Sequence, residues 1–339
     1  MSSARKIADF IKEKDCFLLT THIFPDGDNM GCVLALSEAL DTLGKRFAVY
    51  IDGTIPRMYH WMSGVGRIKT NLRTALENLR ENSCRPTLFV VDSGDIQRMG
   101  DEFVQWFDRA NGLEIVNVDH HVSNTYFGNV NWVDASYSSV GEMIYEILKE
   151  LGVAVTSSIA TNLFVSVYTD TGRFSFSNTS ERSLRYASEY VAAGAEPIKA
   201  FRNVYASRTL ASFHLQADSF QTLTRFLDDK GCYFWVDQKM LSRTATSFDD
   251  TEGFIDTVRT LRDFLIVVFF KEVDLADIRV SVRAHPPIDA SALMNLFGGG
   301  GHPRAAGCRI EEPLEKAIEI FVRKAEDAMN SGEVLEKGG

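Results

Sequence analysis

Short apolar runs alternate with amphipathic segments along the first half of the chain. The apolar runs predict buried strands, and apolar residues spaced three or four positions apart predict helices. The predicted strands cover residues 16–21, 47–51, 88–91 and 113–118. One predicted helix runs from Met30 to Gly44, and others cover residues 71–80, 102–110, 139–151 and 158–167. This alternation predicts an α/β fold with a mostly parallel sheet and helices on both faces.

The pattern changes after about Gly194. Residues 197–227 have a largely helical pattern that is typical of an extended connector, and strand-like runs follow at 232–236, 264–272 and 278–283. These runs, with helical segments between and after them, predict a second, smaller α/β unit. We therefore predict a first domain over residues 1–195, a helical connector over 196–228 and a second domain over 229–332.

Composition narrows the class of protein. The chain has 339 residues with 45% apolar and 24% charged residues, which is typical of a globular enzyme of two domains. No apolar run is long enough to span a membrane, and the polar N-terminus does not resemble a signal peptide, so we expect a cytoplasmic protein without membrane contact. The net charge of -10 argues against binding of long duplex DNA. The negative charge is compatible with a small phosphorylated ligand, because bound metal cations can make the electrostatic potential of a site locally positive.

The five cysteines are scattered along the chain and form no C-x-x-C pair. This arrangement argues against a disulfide framework and against a structural zinc site. It favours cysteines that are small buried side chains. They are Cys16, Cys32, Cys84, Cys232 and Cys308.

Carboxylate and imidazole side chains stand at the ends of four predicted segments. Ligands of open parallel sheets collect at the carboxyl ends of the strands, so we expect these side chains to share one site. The residues are His22, Asp26 and Asp28 around the first strand end, Asp92 at the next, Asp119, His120 and His121 at a third, and Asp170 before Thr171-Gly172.

Such a cluster indicates a metal site. Unpaired neighbouring carboxylates repel and tend to take up protons, and a divalent cation removes that cost. Mixed oxygen and nitrogen ligands suit Mn²⁺ or a similar borderline ion. Two ions roughly 3.5–4 Å apart can clamp a phosphoryl group and activate a water. Asp92 is the predicted bridging ligand, because it is central in the order of segments and alone on its loop.

The remaining polar residues near these segments have different predicted roles. Asp119 is expected to orient an imidazole, while the adjacent His120 and His121 diverge so that one binds metal and the other faces substrate. Asp95 and Asp134 are predicted to form turns.

A glycine-rich segment, residues 298–301, is predicted to form a loop and leads directly into His302-Pro303-Arg304. Glycines let backbone N–H groups approach a ligand, and the composition differs from that of a flexible linker. No Gly-Lys-Ser/Thr sequence follows, so the segment is not a P-loop. Arg279, Ser281 and Arg283 share one face of a predicted strand. That face is either a polar binding surface or an ordinary solvated surface.

Together these motifs resemble those of the DHH/DHHA1 phosphoesterases. The matching residues are Asp119-His120-His121 with Asn124, His22-x-x-Pro25-Asp26-Gly27-Asp28, Val91-Asp92-x-x-Asp95 with Arg98, Tyr168-Thr169-Asp170-Thr171-Gly172, and the segment from Gly299 to Gly307. The match spans nearly the whole chain. Cys32 departs from the family, which commonly has serine or another small residue there.

The resemblance implies a catalytic domain with a mostly parallel sheet of the five-stranded type, a smaller DHHA1 domain, and an active site in the cleft between them. It implies that His22, Asp26, Asp92 and Asp170 hold one Mn²⁺ ion and that Asp28, Asp92 and His120 hold another, with Mg²⁺ or Co²⁺ also compatible. The catalytic residues would be His121, Asp92 and Asp119. The substrate-binding residues would be Arg98, Ser281, Arg283, Gly299, Gly300, Gly301 and His302.

In size and in its two-domain plan, the chain resembles the family branch of bifunctional oligoribonucleases and pAp phosphatases. This implies hydrolysis of short RNA oligonucleotides, pAp (3′-phosphoadenosine 5′-phosphate) or cyclic di-AMP, and it is compatible with a homodimer. Two alternatives stay open. One is an inorganic pyrophosphatase or polyphosphatase, and the other is a nucleotide sensor without catalytic activity.

Overall fold

The structure is a computed structural model that describes residues 2–80, 85–110 and 112–335. Two compact units divide the chain, Met1–Ser207 and Arg208–Gly339. The first contains helices α1 (Ser3–Glu13), α2 (Gly27–Thr42), α3 (Leu72–Arg80), α4 (Asp101–Arg109), α5 (Val140–Leu151), α6 (Ser157–Asp170), α7 (Glu181–Ala192) and α8 (Pro197–Val204). Its strands are β1 (Cys16–Thr20), β2 (Arg46–Tyr50), β3 (Ile68–Lys69), β4 (Thr87–Val91), β5 (Ile115–Asp119) and β6 (Val130–Val133).

The sheet of the first unit is parallel throughout, in the order β3-β2-β1-β4-β5-β6. The prediction of a parallel sheet is therefore confirmed, but the sheet has six strands rather than five. The pattern did not predict β3 and β6 because they are short and mostly half-buried, so they lack a continuous apolar run.

Alternation along the central strands separates two cores. Phe17 and Leu19 of β1 pack into the core that contains α1, α2, α5 and α6. Cys16 and Leu18 point to the opposite face, where α3 and α4 pack. Because successive side chains of a strand point to opposite faces, an all-apolar strand requires cover on both sides. Helices on both faces are confirmed.

Helices α2 and α6 approach closely behind the sheet. A Cβ atom on Gly31 would lie 2.4 Å from the backbone oxygen of Asn162, so only glycine fits at that position. This contact brings the first turn of α2, which carries Asp28, next to Ser166 of α6.

The second unit contains strands β7 (Thr224–Phe226), β8 (Gly231–Val236), β9 (Ile266–Asp274), β10 (Asp277–Ala284), β11 (Gly300–His302) and β12 (Ala305–Ile310). Its helices are α9 (Leu210–Phe220), α10 (Gln238–Thr244), α11 (Phe254–Val258), α12 (Ala290–Asn295) and α13 (Leu314–Ser331). The sheet order is β11-β12-β10-β9-β8-β7, and its pairs are antiparallel except β8 with β9.

The second half of the chain agrees with one local prediction and differs from another. Residues 197–227 are largely helical as predicted, since they form helices α8 and α9, and they end in strand β7. The glycine-rich segment was predicted as a loop, but Gly300–His302 is a strand that pairs with β12. Glycine is depleted in strands, so local propensity did not indicate this pairing.

Among the described cysteines, Cys32 and Cys232 are buried and reduced, and Cys308 is reduced and half-buried. Cys16 is disulfide-bonded, so the expectation of no disulfide is wrong for that residue. Cys84 lies outside the described residues. Within residues 2–80, 85–110 and 112–335, none of the helices combines the length and apolar character that a bilayer crossing requires.

Candidate metal centre

Four chain segments bring carboxylates and imidazoles together at the carboxyl edge of the parallel sheet. In the described part of the chain, three groups have ligand atoms within 4.8 Å of one another. The groups are Asp92, His120 and His121; His22, Asp26 and Asp92; and Asp28, His120 and Asp170. The convergence agrees with the sequence analysis, but the grouping differs, and His121 falls in a group with Asp92 and His120 although it was not predicted as a ligand. Asp170 lies with Asp28 and His120, whereas the family resemblance assigned it to His22 and Asp26.

Asp92 follows directly after β4 and lies between the other groups. Its backbone has φ 53°, and its N–H donates to the carbonyl of Val118 at 3.0 Å, which holds the turn. Its carboxylate lies 3.9 Å from Nε2 of His22 and 3.7 Å from Nε2 of His120. Burial raises the pKa of Asp92 well above its ordinary value, and the neighbouring carboxylate of Asp28 adds to this effect.

The Oδ1 atom of Asp92 is buried and has no hydrogen-bond partner among the described residues. A buried carboxylate oxygen without a partner is costly, and a bound cation would satisfy it. The donor set of carboxylates and imidazoles also fits a borderline divalent ion.

His22 presents its Nε2 lone pair toward Asp92. Its Nδ1–H donates to the carbonyl of Ile23 at 2.6 Å, which fixes the tautomer. The Nε2 lone pair accepts a hydrogen bond from the side chain of Asn29 at 3.0 Å, and a cation bound at Nε2 would replace that hydrogen bond. Burial lowers the pKa of His22 and outweighs the opposite effect of Asp26, so the ring is neutral and able to bind a metal.

His120 is held in the same way from the other side. Its Nδ1–H donates to the carbonyl of Tyr137 at 3.1 Å, so Nε2 faces the carboxylates. Nε2 lies 3.7 Å from Oδ2 of Asp170 and 4.0 Å from Oδ2 of Asp28. Burial opposes protonation of this ring, but these two carboxylates prevail and raise the pKa of His120 to about 8.

His121 points away from His120 and is anchored by Asp119. The two rings meet edge to face, with centroids 4.9 Å apart. Nδ1–H of His121 donates to Oδ1 of Asp119 at 2.7 Å, and Asn124 donates to Oδ2 of the same carboxylate at 2.6 Å. Burial opposes ionisation of Asp119, but these hydrogen bonds hold its pKa below the ordinary value. Asp119 thus orients the ring of His121 through Nδ1.

The two aspartates of the first motif have different surroundings. Asp26 is exposed and caps α2, since its Oδ1 accepts hydrogen bonds from the N–H groups of Asp28 and Asn29. Asp28 is buried. Its carboxylate accepts hydrogen bonds from the N–H groups of Val140 and Gly141 and from Oγ of Ser166.

The predicted substrate-binding residues lie in both units. Arg98 is exposed in a 3₁₀ turn, Ile96–Met99, in the first unit. In the second, Ser281 and Arg283 share one face of β10 as predicted, and Nε of Arg283 donates to Asp256 at 3.0 Å. The others are in or next to β11: Gly299, Gly300, Gly301 and His302.

Two aspartates predicted to form turns do so. Asp95 caps its 3₁₀ turn by accepting from the N–H of Gln97, and Asp134 accepts from the N–H of Ser136. Sequence reasoning missed Asn29 and Ser166, which contact His22 and Asp28. Ser166 stands four residues before Asp170 on one helix, so helical spacing was the available signal.

Comparison with known families accounts for most of the chain. Residues 17–167 match the DHH family, N-terminal domain, and residues 231–331 match the DHHA1 domain. A Thermus thermophilus protein named bifunctional oligoribonuclease and PAP phosphatase NrnA is 27% identical over 317 residues, which cover 93% of this chain and 91% of the relative. The Bacillus subtilis protein of the same name is 28% identical over 87% of this chain and 90% of its own length.

The same fold is found in a solved structure that covers nearly the whole chain. It is that of an exopolyphosphatase-related protein from Bacteroides fragilis, with a TM-score of 0.89, 20% sequence identity and coverage of 97% of each chain. The order of domains, the motifs and this likeness agree. The chain therefore combines a DHH family N-terminal domain with a DHHA1 domain.

Proposed function

We propose that this protein is a metal-dependent phosphoesterase that hydrolyses phosphate esters of short nucleotides. One observation carries the proposal. Oδ1 of Asp92 is buried, has no hydrogen-bond partner among the described residues, and is surrounded by carboxylates and imidazole nitrogens. Asp92 and His120 each belong to two of the three ligand groups, and this overlap favours a pair of cations over a single ion.

In this proposal six residues hold two Mn²⁺ ions, and Mg²⁺ or Co²⁺ are substitutes of similar ligand preference. They are His22, Asp26, Asp28, Asp92, His120 and Asp170. Cations held there supply positive charge that stabilises phosphate oxygens and promote ionisation of the attacking water.

His121 is the proposed general acid. Hydrolysis breaks the P–O ester bond, and the departing oxygen must receive a proton. Asp119 fixes the ring through Nδ1, so the proton is delivered from Nε2, and the lowered pKa of Asp119 keeps that carboxylate ionised. This arrangement is that of an acid whose orientation is set by a buried carboxylate.

The names of the relatives, oligoribonuclease and PAP phosphatase, support short oligonucleotides and small nucleotides as the substrate class. We assign substrate binding to Arg98 in the first unit and to Ser281, Arg283, Gly299, Gly300, Gly301 and His302 in the second. The polar face of β10 supports this assignment, because Nη2 of Arg283 can donate to a phosphate oxygen while Nε stays on Asp256.

A substrate panel tests the proposal. Purified protein is assayed with pAp, the dinucleotide pApA, cyclic di-AMP, RNA of increasing length and inorganic pyrophosphate, each with Mn²⁺ and with chelator. We expect mononucleotides to be released only when the metal is present, at a rate that decreases as the RNA becomes longer. Turnover of pyrophosphate alone would favour a pyrophosphatase, and nucleotide binding without any turnover would favour a sensor.

A further inference from the structure

A short segment before and in the first turn of α5, residues 137–142, contacts several of the proposed metal ligands. We call it the 137–142 segment. The carbonyl of Tyr137 accepts the hydrogen bond from Nδ1 of His120. This bond sets the rotation of the ring, and therefore the direction of the Nε2 lone pair.

The same segment holds the carboxylate of Asp28. The N–H of Val140 donates to Oδ2 at 2.8 Å, and the N–H of Gly141 donates to Oδ1 at 3.1 Å. Both groups are at the N-terminus of α5, where backbone N–H groups have no partner within the helix and the helix dipole favours negative charge. The carboxylate of Asp28 is thereby fixed at both oxygens.

A third ligand is tied to the segment through Asn178. The side chain of Asn178 donates to the carbonyl of Ser138 and to the carbonyl of Asp170, each at 3.1 Å. The end of α6, which carries Asp170, is thus joined to the segment.

These three ligands, Asp28, His120 and Asp170, form one of the groups described above. The hydrogen bonds of His22 and Asp26 that the structure describes lead to Ile23, Asp28 and Asn29 instead. The 137–142 segment is therefore specific to one side of the centre.

The side chain of Glu142 holds the part of the segment that precedes α5 against the first turn of this helix. It is fully buried in the first turn of the helix, and its Oε2 accepts the N–H of Ser138 at 3.0 Å. Its Oε1 has no partner within the part of the chain that the structure describes. A buried carboxyl with one unsatisfied oxygen costs stability. Its one hydrogen bond lies between Tyr137, which orients His120, and the N–H groups that hold Asp28.

We propose that Glu142 is a positioning residue for the metal site formed by Asp28, His120 and Asp170. It acts through the 137–142 segment, which presets the imidazole and the carboxylate before the cation binds. This inference rests on the proposed function, because it assigns Glu142 to one half of that site.

Mn²⁺ affinity is the deciding measurement, since it does not depend on turnover. Free Mn²⁺ is titrated by electron paramagnetic resonance in full-length wild type, Glu142→Ala, Glu142→Gln and Glu150→Ala. Glutamine keeps an oxygen that can accept the Ser138 N–H. Glu150 is on the surface of the same helix, where it pairs with Arg5, and serves as the matched control.

We expect Glu142→Ala to weaken Mn²⁺ binding by about 10- to 100-fold, as is usual when a residue supporting a metal ligand is removed. Glu142→Gln and Glu150→Ala should stay close to wild type. Turnover of Glu142→Ala should recover at high Mn²⁺, because every ligand is still present. Circular dichroism verifies that each variant is folded.

A folded Glu142→Ala protein with wild-type Mn²⁺ affinity would overturn the inference, and so would an equal loss in Glu150→Ala. If Glu142→Ala does not fold, Asn178→Ala decides, because this exposed residue makes the link to Asp170. Weaker Mn²⁺ binding by Asn178→Ala supports the inference, and unchanged binding overturns it. A wild-type protein that neither binds Mn²⁺ nor cleaves nucleotides overturns the proposed function together with this inference.

Discussion

Replacement of Asp92 by asparagine should abolish turnover and at the same time stabilise the metal-free protein. Asparagine has nearly the same shape and tolerates the left-handed backbone, φ 53°, that Asp92 adopts. It removes the charge without opening a cavity or straining the turn. The variant therefore isolates the electrostatic contribution of this one carboxylate.

The size of the stabilisation follows from the crowding of the centre. The ligand atoms of Asp26 and Asp92 lie within 4.8 Å of each other. Like charges about 5 Å apart repel by roughly 3 kcal/mol at an effective dielectric constant near 20. The partly protonated ring of His120 offsets some of this repulsion. We expect the metal-free variant to gain about 1–3 kcal/mol in the free energy of unfolding at pH 7.5.

The pH dependence gives a second check on the sign. The folded-state pKa of Asp92 is raised above its unfolded value, so the folded protein binds this proton more tightly than the unfolded chain. The carboxyl therefore destabilises the fold progressively as pH rises above its ordinary pKa. The gain from asparagine should be near zero at about pH 4 and should grow as pH rises above that value.

Urea unfolding of wild type and Asp92→Asn with chelator, at several pH values, measures this gain. Nucleotide hydrolysis with Mn²⁺ measures the loss of activity. Asp41→Asn makes the same chemical change at a surface pair with Arg67 and should alter neither property. Metal-dependent turnover by Asp92→Asn would refute the bridging role. A metal-free variant less stable than wild type would refute the electrostatic reasoning.

Three further predictions concern neighbouring residues. Burial raises the pKa of Glu142 from 4.5 to about 7, so its contribution to stability is present below pH 4.5 and is lost as pH rises through about 7. Glu142→Gln should remove roughly 3 kcal/mol of the change in unfolding free energy with pH, measured by urea unfolding of the metal-free protein. An unchanged dependence of the unfolding free energy on pH would contradict the raised pKa. A Cβ atom on Gly141 would lie 1.9 Å from Oγ of Ser166, whereas one on Gly66 would have no neighbour within 4 Å. Gly141→Ala should therefore cost about 1–3 kcal/mol in thermal unfolding and Gly66→Ala almost nothing, and equal effects would argue against this packing. His121→Ala should lower kcat about 10²- to 10⁴-fold while Mn²⁺ affinity changes little, and a parallel loss of affinity would show that His121 is a ligand instead.

The local patterns of the sequence determined the strands, the helices and the chemistry of the loops in the first unit. Alternation and helical spacing depend on nearby residues, so the central strands and the helices between them could be predicted within a few positions. The parallel arrangement also placed the motif residues at one edge of the sheet. Exceptions were helix α7, which was not among the predicted elements, and three elements held mainly by tertiary pairing, namely the short edge strands β3 and β6 and the glycine strand β11.

Only the tertiary structure decided how the candidate ligands associate. Asp28 and Val140 are 112 positions apart, and their hydrogen bond depends on how α2, α5 and α6 pack together. The same packing places Asp170 with His120 rather than with His22, and gives Glu142 its position behind the centre. Motif spacing specifies which side chains reach the sheet edge. Their mutual distances, hydrogen bonds and pKa values arise from contacts between segments that are remote in the chain.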